Sequence, residues 1–333
     1  MLERMTRRDF ITVLAGSAAA WPLRVTAQTR SMPMIGFLHS QSFDSSRLDV
    51  ANFREGLKEQ GYILGRNVVI EYRWGNNDPA ALPALAADLV QLQPQVIVTD
   101  GGLVAARAAK AATATIPIVF ITGLDPAENG FVTSLNRPGG NATGVVNYLR
   151  ELVPKRLELL RELVGSSTKV AYLMNEDLRN LGLGARKQFE EEKNWSLQHM
   201  DLVLDARSDD QITASFATAT KQGIGALLVE ADPFFTDRRN LVVALAAQYA
   251  LPAGYQAHEF VDAGGLMVYG PNRLESLRQV GVYAGRILKG ANPAEMPVLT
   301  PNKFELAINL KTAKALGLTV PASLLVSADQ IIR

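Results

Sequence analysis

The chain of 333 residues has no cysteine, only three histidines and three tryptophans, and almost no net charge: 34 Lys and Arg stand against 33 Asp and Glu. Without cysteine there is no disulfide, no thiolate metal site and no thiol on which a lipid could be attached. Near neutrality argues against nucleic acid, which needs a basic face, and against an anionic membrane surface. His39, His199 and His258 sit at none of the close spacings that ligate a metal. Long apolar runs are also missing. Beyond the first residues the longest is Leu241 to Ala247, too short to span a bilayer. At 47% hydrophobic residues the composition is that of a globular protein, and the length suggests two domains.

Catalytic signatures are scarce as well. The first strand-like run, Met34 to Leu38, leads into His39-Ser40 with no G-x-G-x-x-G behind it. Gly182-Leu183-Gly184 lacks the third glycine, and Gly285 to Gly290 mimics P-loop spacing with Ala291 where lysine is required. Ser166-Ser167-Thr168-Lys169 matches S-x-x-K, but no K-T-G follows. Asn141-Ala142-Thr143 is a glycosylation sequon by chance. His39 ends the first strand, where it could meet a ligand or simply serve the loop.

What is present begins with residues 1–27. Arg7-Arg8-Asp9-Phe10 precedes a weakly apolar stretch, Ile11 to Trp21, and Val25-Thr26-Ala27 offers a small-residue cleavage end before Gln28. This is the pattern of an export signal, and the arginine pair marks the twin-arginine (Tat) route. The expected product is soluble in the periplasm. Residues 1–27 hold four arginines against two acids, so the remainder carries −1.

From Met34 on, short β-rich runs alternate with helix-patterned segments. Strands are expected at Met34–Leu38, Val68–Trp74, Val96–Val98 and Pro117–Ile121, with helices at Leu48–Gln60, Pro79–Gln93 and Leu103–Ala112. Leu135-Asn136-Arg137-Pro138-Gly139-Gly140-Asn141 is the densest cluster of turn formers after the signal. One short strand, Gly144–Tyr148, follows, and then the alternation restarts. Helices at Lys155–Val164, Phe234–Tyr249 and Asn272–Lys289 alternate with strands at Val170–Met174, Leu197–Val203, Ala226–Glu230, Pro252–Tyr255 and Leu266–Tyr269. Two such trains predict an α/β fold of two Rossmann-like lobes with parallel sheets joined by a hinge. The expected division is residues 31–147 with about 265–291 in the first lobe, and 148–264 with about 292–333 in the second.

Ligands of open α/β sheets bind beyond the carboxyl ends of the strands. Polar residues collect there in both trains. Ser40, Gln41 and Ser42 follow the first strand, Gly101 and Gly102 the third, and Asp125 the fourth. Asn175, Asp232 and Tyr255 take the equivalent places in the second train. Asp125-Pro126 and Asp232-Pro233 also read as helix starts, with Asp as N-cap and Pro at N1. No pair among these residues forms a catalytic unit.

Several long strings resemble the bacterial ABC transporter substrate-binding proteins, the group with tryptophan/tyrosine-type members. They include Arg7-Arg8-Asp9-Phe10-Ile11-Thr12, Asn52-Phe53-Arg54-Glu55-Gly56-Leu57, Leu135 to Gly144, Lys155 to Leu160, Val280 to Gly290 and Ile308 to Leu318. The resemblance implies the periplasmic binding protein type I fold with a three-strand hinge. It also implies no catalysis, no cofactor, and delivery of a small solute by a monomeric receptor to an ABC permease in the inner membrane. It points to eight of these nine residues, all but Gln41, as ligand contacts. The expected arrangement is a carboxylate on loop N–H groups and hydroxyls, an ammonium on Asp125 or Asp232, and a side chain against Tyr255. Two alternatives stand beside it, an exported oxidoreductase with a Rossmann-like lobe and a receptor that presents its ligand to a membrane sensor.

Overall fold

The structure, a computed structural model, describes residues 32–176, 183–301 and 303–333. The export signal expected over 1–27 lies outside the described residues, as do Asp177 and Gly182. No described helix is long and apolar enough to cross a membrane.

The first train folds into a five-stranded parallel sheet. Its strands are β1 (Met34–His39), β2 (Val69–Trp74), β3 (Val96–Asp100), β4 (Ile118–Thr122) and β5 (Ala142–Val146), in the order β2-β1-β3-β4-β5. Helices α1 (Arg47–Glu59), α2 (Leu82–Gln91) and α3 (Leu103–Ala112) connect the first four strands. Apart from the half-buried edge strand β2, the strands are buried runs, with residues such as Ile35, Phe37, Val96 and Val98, as expected of a sheet covered on both faces.

The second train repeats the scheme. β6 (Val170–Met174), β7 (Leu202–Asp205), β8 (Ala226–Val229), β9 (Ala253–Tyr255) and β10 (Met267–Pro271) stand in the order β7-β6-β8-β9-β10. Around them lie α4 (Val153–Val164), α5 (Leu183–His199), α6 (Asp209–Lys221), α7 (Pro233–Asp237), α8 (Arg239–Gln248) and α9 (His258–Asp262). Written by position, both sheets read second, first, third, fourth, fifth. The second sheet is extended by β11 (Phe304–Asn309), antiparallel to β10, and by β12 (Gln330–Ile332), parallel to β11. Helices α11 (Leu310–Ala315) and α12 (Ala322–Ser327) join those two strands.

Most expected elements fall within a few residues of these bounds. Two differ in kind. Leu197–His199 is the end of α5 rather than a strand, and β7 begins only at Leu202. The helix expected over Phe234–Tyr249 is broken at Arg238, whose backbone leaves the helical region (φ −94°, ψ 17°) between α7 and α8.

The chain passes between the sheets three times. It leaves β5 for α4 through Asn147–Leu152. It returns from β10 through Asn272 to α10 (Arg273–Leu288), which packs on α1. It crosses again between Leu299, which pairs beside Val145, and β11. The expected lobe boundaries are corrected accordingly. Residues 267–271 belong to the second sheet and not to the first lobe, because β10 bonds to β9 and β11. Residues 292–299 stay with the first sheet, because Met296 joins its core and Leu299 donates to the Gly144 carbonyl.

The α1–α10 crossing closes the first core, where Phe37, Phe53 and Leu57 meet Leu277, Val280 and Ala284. The helices come so close that two glycines are required. A Cβ on Gly56 would lie 1.9 Å from the Arg278 carbonyl oxygen, and one on Gly281 would lie 2.1 Å from that of Phe53. Backbone cannot yield as a side-chain tip can. Gly281→Ala is therefore expected to push the helices apart and destabilise the fold by about 1–3 kcal/mol. Thermal unfolding should show a midpoint lower by several degrees; an unchanged midpoint would contradict the close packing.

Candidate functional site

In a sheet ordered 2-1-3-4-5, the connections leave in opposite directions on either side of the first strand, and a crevice opens at that switch point. Here there are two such crevices, and they face one another. Ser40 and Gln41 after β1 and Gly101 and Gly102 after β3 come from the first. Asn175 after β6 and Glu230 and Asp232 after β8 come from the second. Together they line a cavity of about 460 Å³. Leu124, Leu149, Phe189 and Phe234 supply apolar wall.

Six of the nine expected contacts thus reach the cavity: Ser40, Gln41, Gly101, Gly102, Asn175 and Asp232. The other three do not. Tyr255 ends the short central strand β9, is fully buried and stacks on Phe260 with ring centres 4.5 Å apart. Asp125 turns inward to cap its own loop: one oxygen accepts from the amides of Ala127 and Glu128, and the other from the Tyr148 hydroxyl at 3.0 Å. No helix starts there. Ser42 bonds to Ser45 and opens the next turn. Asp232, by contrast, is a helix cap, accepting from the Phe234 amide at 2.7 Å with Pro233 behind it.

Four arginines also line the cavity, and the sequence reading did not single them out: Arg150, Arg207, Arg238 and Arg273. Arg150 and Arg273 stand where the chain crosses between the sheets. Arg273, the first residue of α10, donates from Nη2 to Asp49 of α1 at 2.9 Å and to Asp100 at the end of β3 at 2.7 Å. His39 completes the group, with Nε2 3.2 Å from Asp100 Oδ2 and Nδ1 accepting from the Gln41 amide. His39 therefore anchors the loop after β1 and does not face the cavity. The ligand atoms of His39, Asp49 and Asp100 lie within 4.8 Å of one another, a spacing a metal could use. The Arg273 guanidinium already takes the cationic place between the two carboxylates.

Arg150 has the corresponding position beside the second sheet. Its Nε is 2.9 Å from Glu192 and its Nη2 3.6 Å from Glu230. Glu192 also accepts from the Tyr172 hydroxyl, and Glu230 from the Asn175 amide.

Hydrogen bonds join the two halves on both flanks of the mouth. Gln41 donates to the Pro233 carbonyl at 2.8 Å, and Asn77 to Asp237 at 2.7 Å. On the other flank Gln188 of α5 accepts from Asn129 at 3.1 Å and donates to Glu128 at 2.6 Å.

Two facing α/β halves, three crossings and a polar cavity between them define a solute receptor of the hinged kind. The chain belongs to the family described as ABC transporter substrate binding protein, whose model matches residues 35–332. This is a family of substrate-binding proteins, and the oxidoreductase alternative finds no support in it. A curated relative from Clostridioides difficile, named tyrosine-binding protein, is 26% identical over 290 residues, 84% of this chain and 80% of its own. A crystal structure from Streptococcus pneumonia, described as an ABC domain in complex with L-Trp, superposes with a TM-score of 0.78. It is 26% identical and covers 91% of this chain and 100% of its own. A conserved domain protein from Vibrio cholerae shares the fold at a TM-score of 0.79 and 23% identity, covering 90% of this chain and all of its own.

Burial sets the titration of the cluster residues. It would lower the His39 pKa, but the Asp100 and Asp49 carboxylates outweigh it and raise it. Burial, then the neighbouring Glu192 and Asp232 carboxylates, push Glu230 far up, and burial raises Glu192 too. A group whose pKa is raised by folding stabilises the fold fully below its unfolded value and progressively less as pH climbs through the folded one. For the glutamates that loss begins near pH 4.3, and for His39 near 6.5. Asp100 acts in the opposite sense, since Arg273 and His39 overcome burial and hold it low; its contribution fades only in strong acid. Unfolding by denaturant should therefore show at least about 1 kcal/mol more stability at pH 5.5 than at pH 8, the equivalent of roughly one pKa unit. Glu230→Gln should shrink the difference. A flat or rising profile would contradict this reading.

Proposed function

We propose that this protein captures an α-amino acid, most naturally one with an aromatic side chain, between its two halves and delivers it to an ABC permease. The observation that carries this reading is the closed-in cavity at the paired switch points. Its volume of about 460 Å³ suits a small solute, and it sets charged side chains of both signs beside apolar wall. The solute's carboxylate faces the arginine-bearing wall, its ammonium faces Asp232, and its side chain packs toward Phe189 or Phe234. The relatives named for tyrosine and solved with L-Trp support the choice of class. Binding shifts an open–closed equilibrium, because only the closed form offers contacts from both halves at once.

The basic, apolar and small-residue order of residues 1–27 supports export by the twin-arginine route and work in the periplasm as a soluble monomer. Cleavage before Gln28 is tested by the N-terminal mass of the protein recovered from the periplasm.

Thermal unfolding of the protein with L-tryptophan, L-tyrosine, other amino acids, sugars and nucleosides tests the ligand class. A solute at 100 times its Kd should add about 2.7 kcal/mol of stability. Stabilisation by sugars or nucleosides alone would overturn the amino-acid reading. Asp232→Asn keeps the helix cap but removes the charge, and should weaken binding at least about tenfold. Asp125→Asn, away from the cavity, should leave affinity within about twofold.

A further inference from the structure

We infer that Arg150 is the residue that reads the carboxylate of the captured solute, through N–H groups that no protein acceptor uses. This rests on the amino-acid reading above and assigns one of its charged contacts.

The four cavity arginines are not equivalent. Arg273 donates to Asp49 and Asp100. Arg207 donates to Asp205 at 2.8 Å. Arg238 donates to Asp209 and to the Phe234 carbonyl, and its guanidinium lies over the Phe234 ring. Each is held by acceptors that belong to the fold. Arg150 differs among the described residues: it has carboxylates near it but no donor aligned on one. Glu192 Oε2 lies 2.9 Å from its Nε yet accepts no hydrogen bond, and Nη2, 3.6 Å from Glu230, donates to no acceptor among the described residues.

A guanidinium presents five donors in a planar fork that matches a carboxylate, and leaving them unmade in a buried place is unfavourable. Only about 15% of the Arg150 side chain is exposed, and the residue lines the cavity. Its Nη2 is the donor left to meet an acceptor inside the cavity. The surroundings fit that role. Glu192 and Glu230 flank the guanidinium without using up its fork, and Phe189 lies beneath it at 5.4 Å from ring centre to guanidinium carbon. Asp232 lines the same cavity, and its carboxylate is near enough to act on the Arg150 charge. A zwitterionic α-amino acid, whose two charged groups are separated by a single carbon, needs that pairing. The position of Arg150 adds a consequence: it sits in the first crossing between the sheets, so a carboxylate bound to it is held at the hinge itself.

The test compares L-tryptophan with L-tryptophanamide, which keeps the ammonium and the ring but has no carboxylate. Calorimetry should give the amide a Kd at least about thirtyfold weaker with the unaltered protein. In Arg150→Gln that ratio should fall to within about threefold, while Arg238→Gln retains it. Arg150→Lys keeps a charge beside Glu192 and Glu230 but loses the fork. It should cut the ratio at least about threefold, and it decides the matter if the glutamine variant does not fold. A ratio near one in the unaltered protein, or an undiminished ratio in a folded Arg150 variant, overturns the assignment and leaves the amino-acid reading standing. Failure of every amino acid to bind the unaltered protein removes that reading, and the assignment with it.

Discussion

Arg273 is the pin of this structure. It is the first residue of α10, just after the chain leaves the larger sheet, and its guanidinium joins α1 to the end of β3 through Asp49 and Asp100. Two buried carboxylates in contact would repel one another; with the guanidinium between them and His39 alongside, they bind the returning chain to the first half. The rest of α10 can then lie in its place on α1, and the glycine pair there demands that this place be met closely. Removing one partner from such a group leaves uncompensated buried charge, commonly worth about 3–5 kcal/mol. Arg273, which fixes the crossing, also lines the cavity. Stability and binding therefore share residues here, as they do again around Arg150.

Much of this was legible in the chain. The alternation of β-rich runs with helical patterns gave two α/β halves, and the rule that ligands gather beyond strand ends brought six residues to the cavity. The rule was too generous where it ignored strand order. Ser40, Gly101, Asn175 and Asp232 lie at the switch points, whereas Tyr255 ends a fourth-position strand and is packed inward. Asp125 was ambiguous by chemistry, since a carboxylate after a strand can cap or can bind. Its oxygens went to the amides of its own turn and to Tyr148. Arg150 and Arg273 carried no signal at all. Arg150 lies in a connection with no period and Arg273 at the start of a helix, and their meaning depends on acids distant in sequence, Glu192 and Glu230 for one and Asp49 and Asp100 for the other. The lobe boundaries were hard for a related reason: β10 and α10 are consecutive, yet they belong to different halves.

The bonds that join the halves are of two kinds, and they divide the labour of recognition. At the mouth, outside the cavity lining, Gln188 links one half to the other through Asn129 and Glu128. These contacts favour closure whatever lies inside, so they strengthen the retention of every solute by the same factor. They cannot tell one solute from another, because selectivity is a difference between affinities and a common factor cancels. Discrimination must then come from the residues that line the cavity. The two properties can change separately: substitutions along the rim would retune the receptor to richer or poorer surroundings without altering its diet.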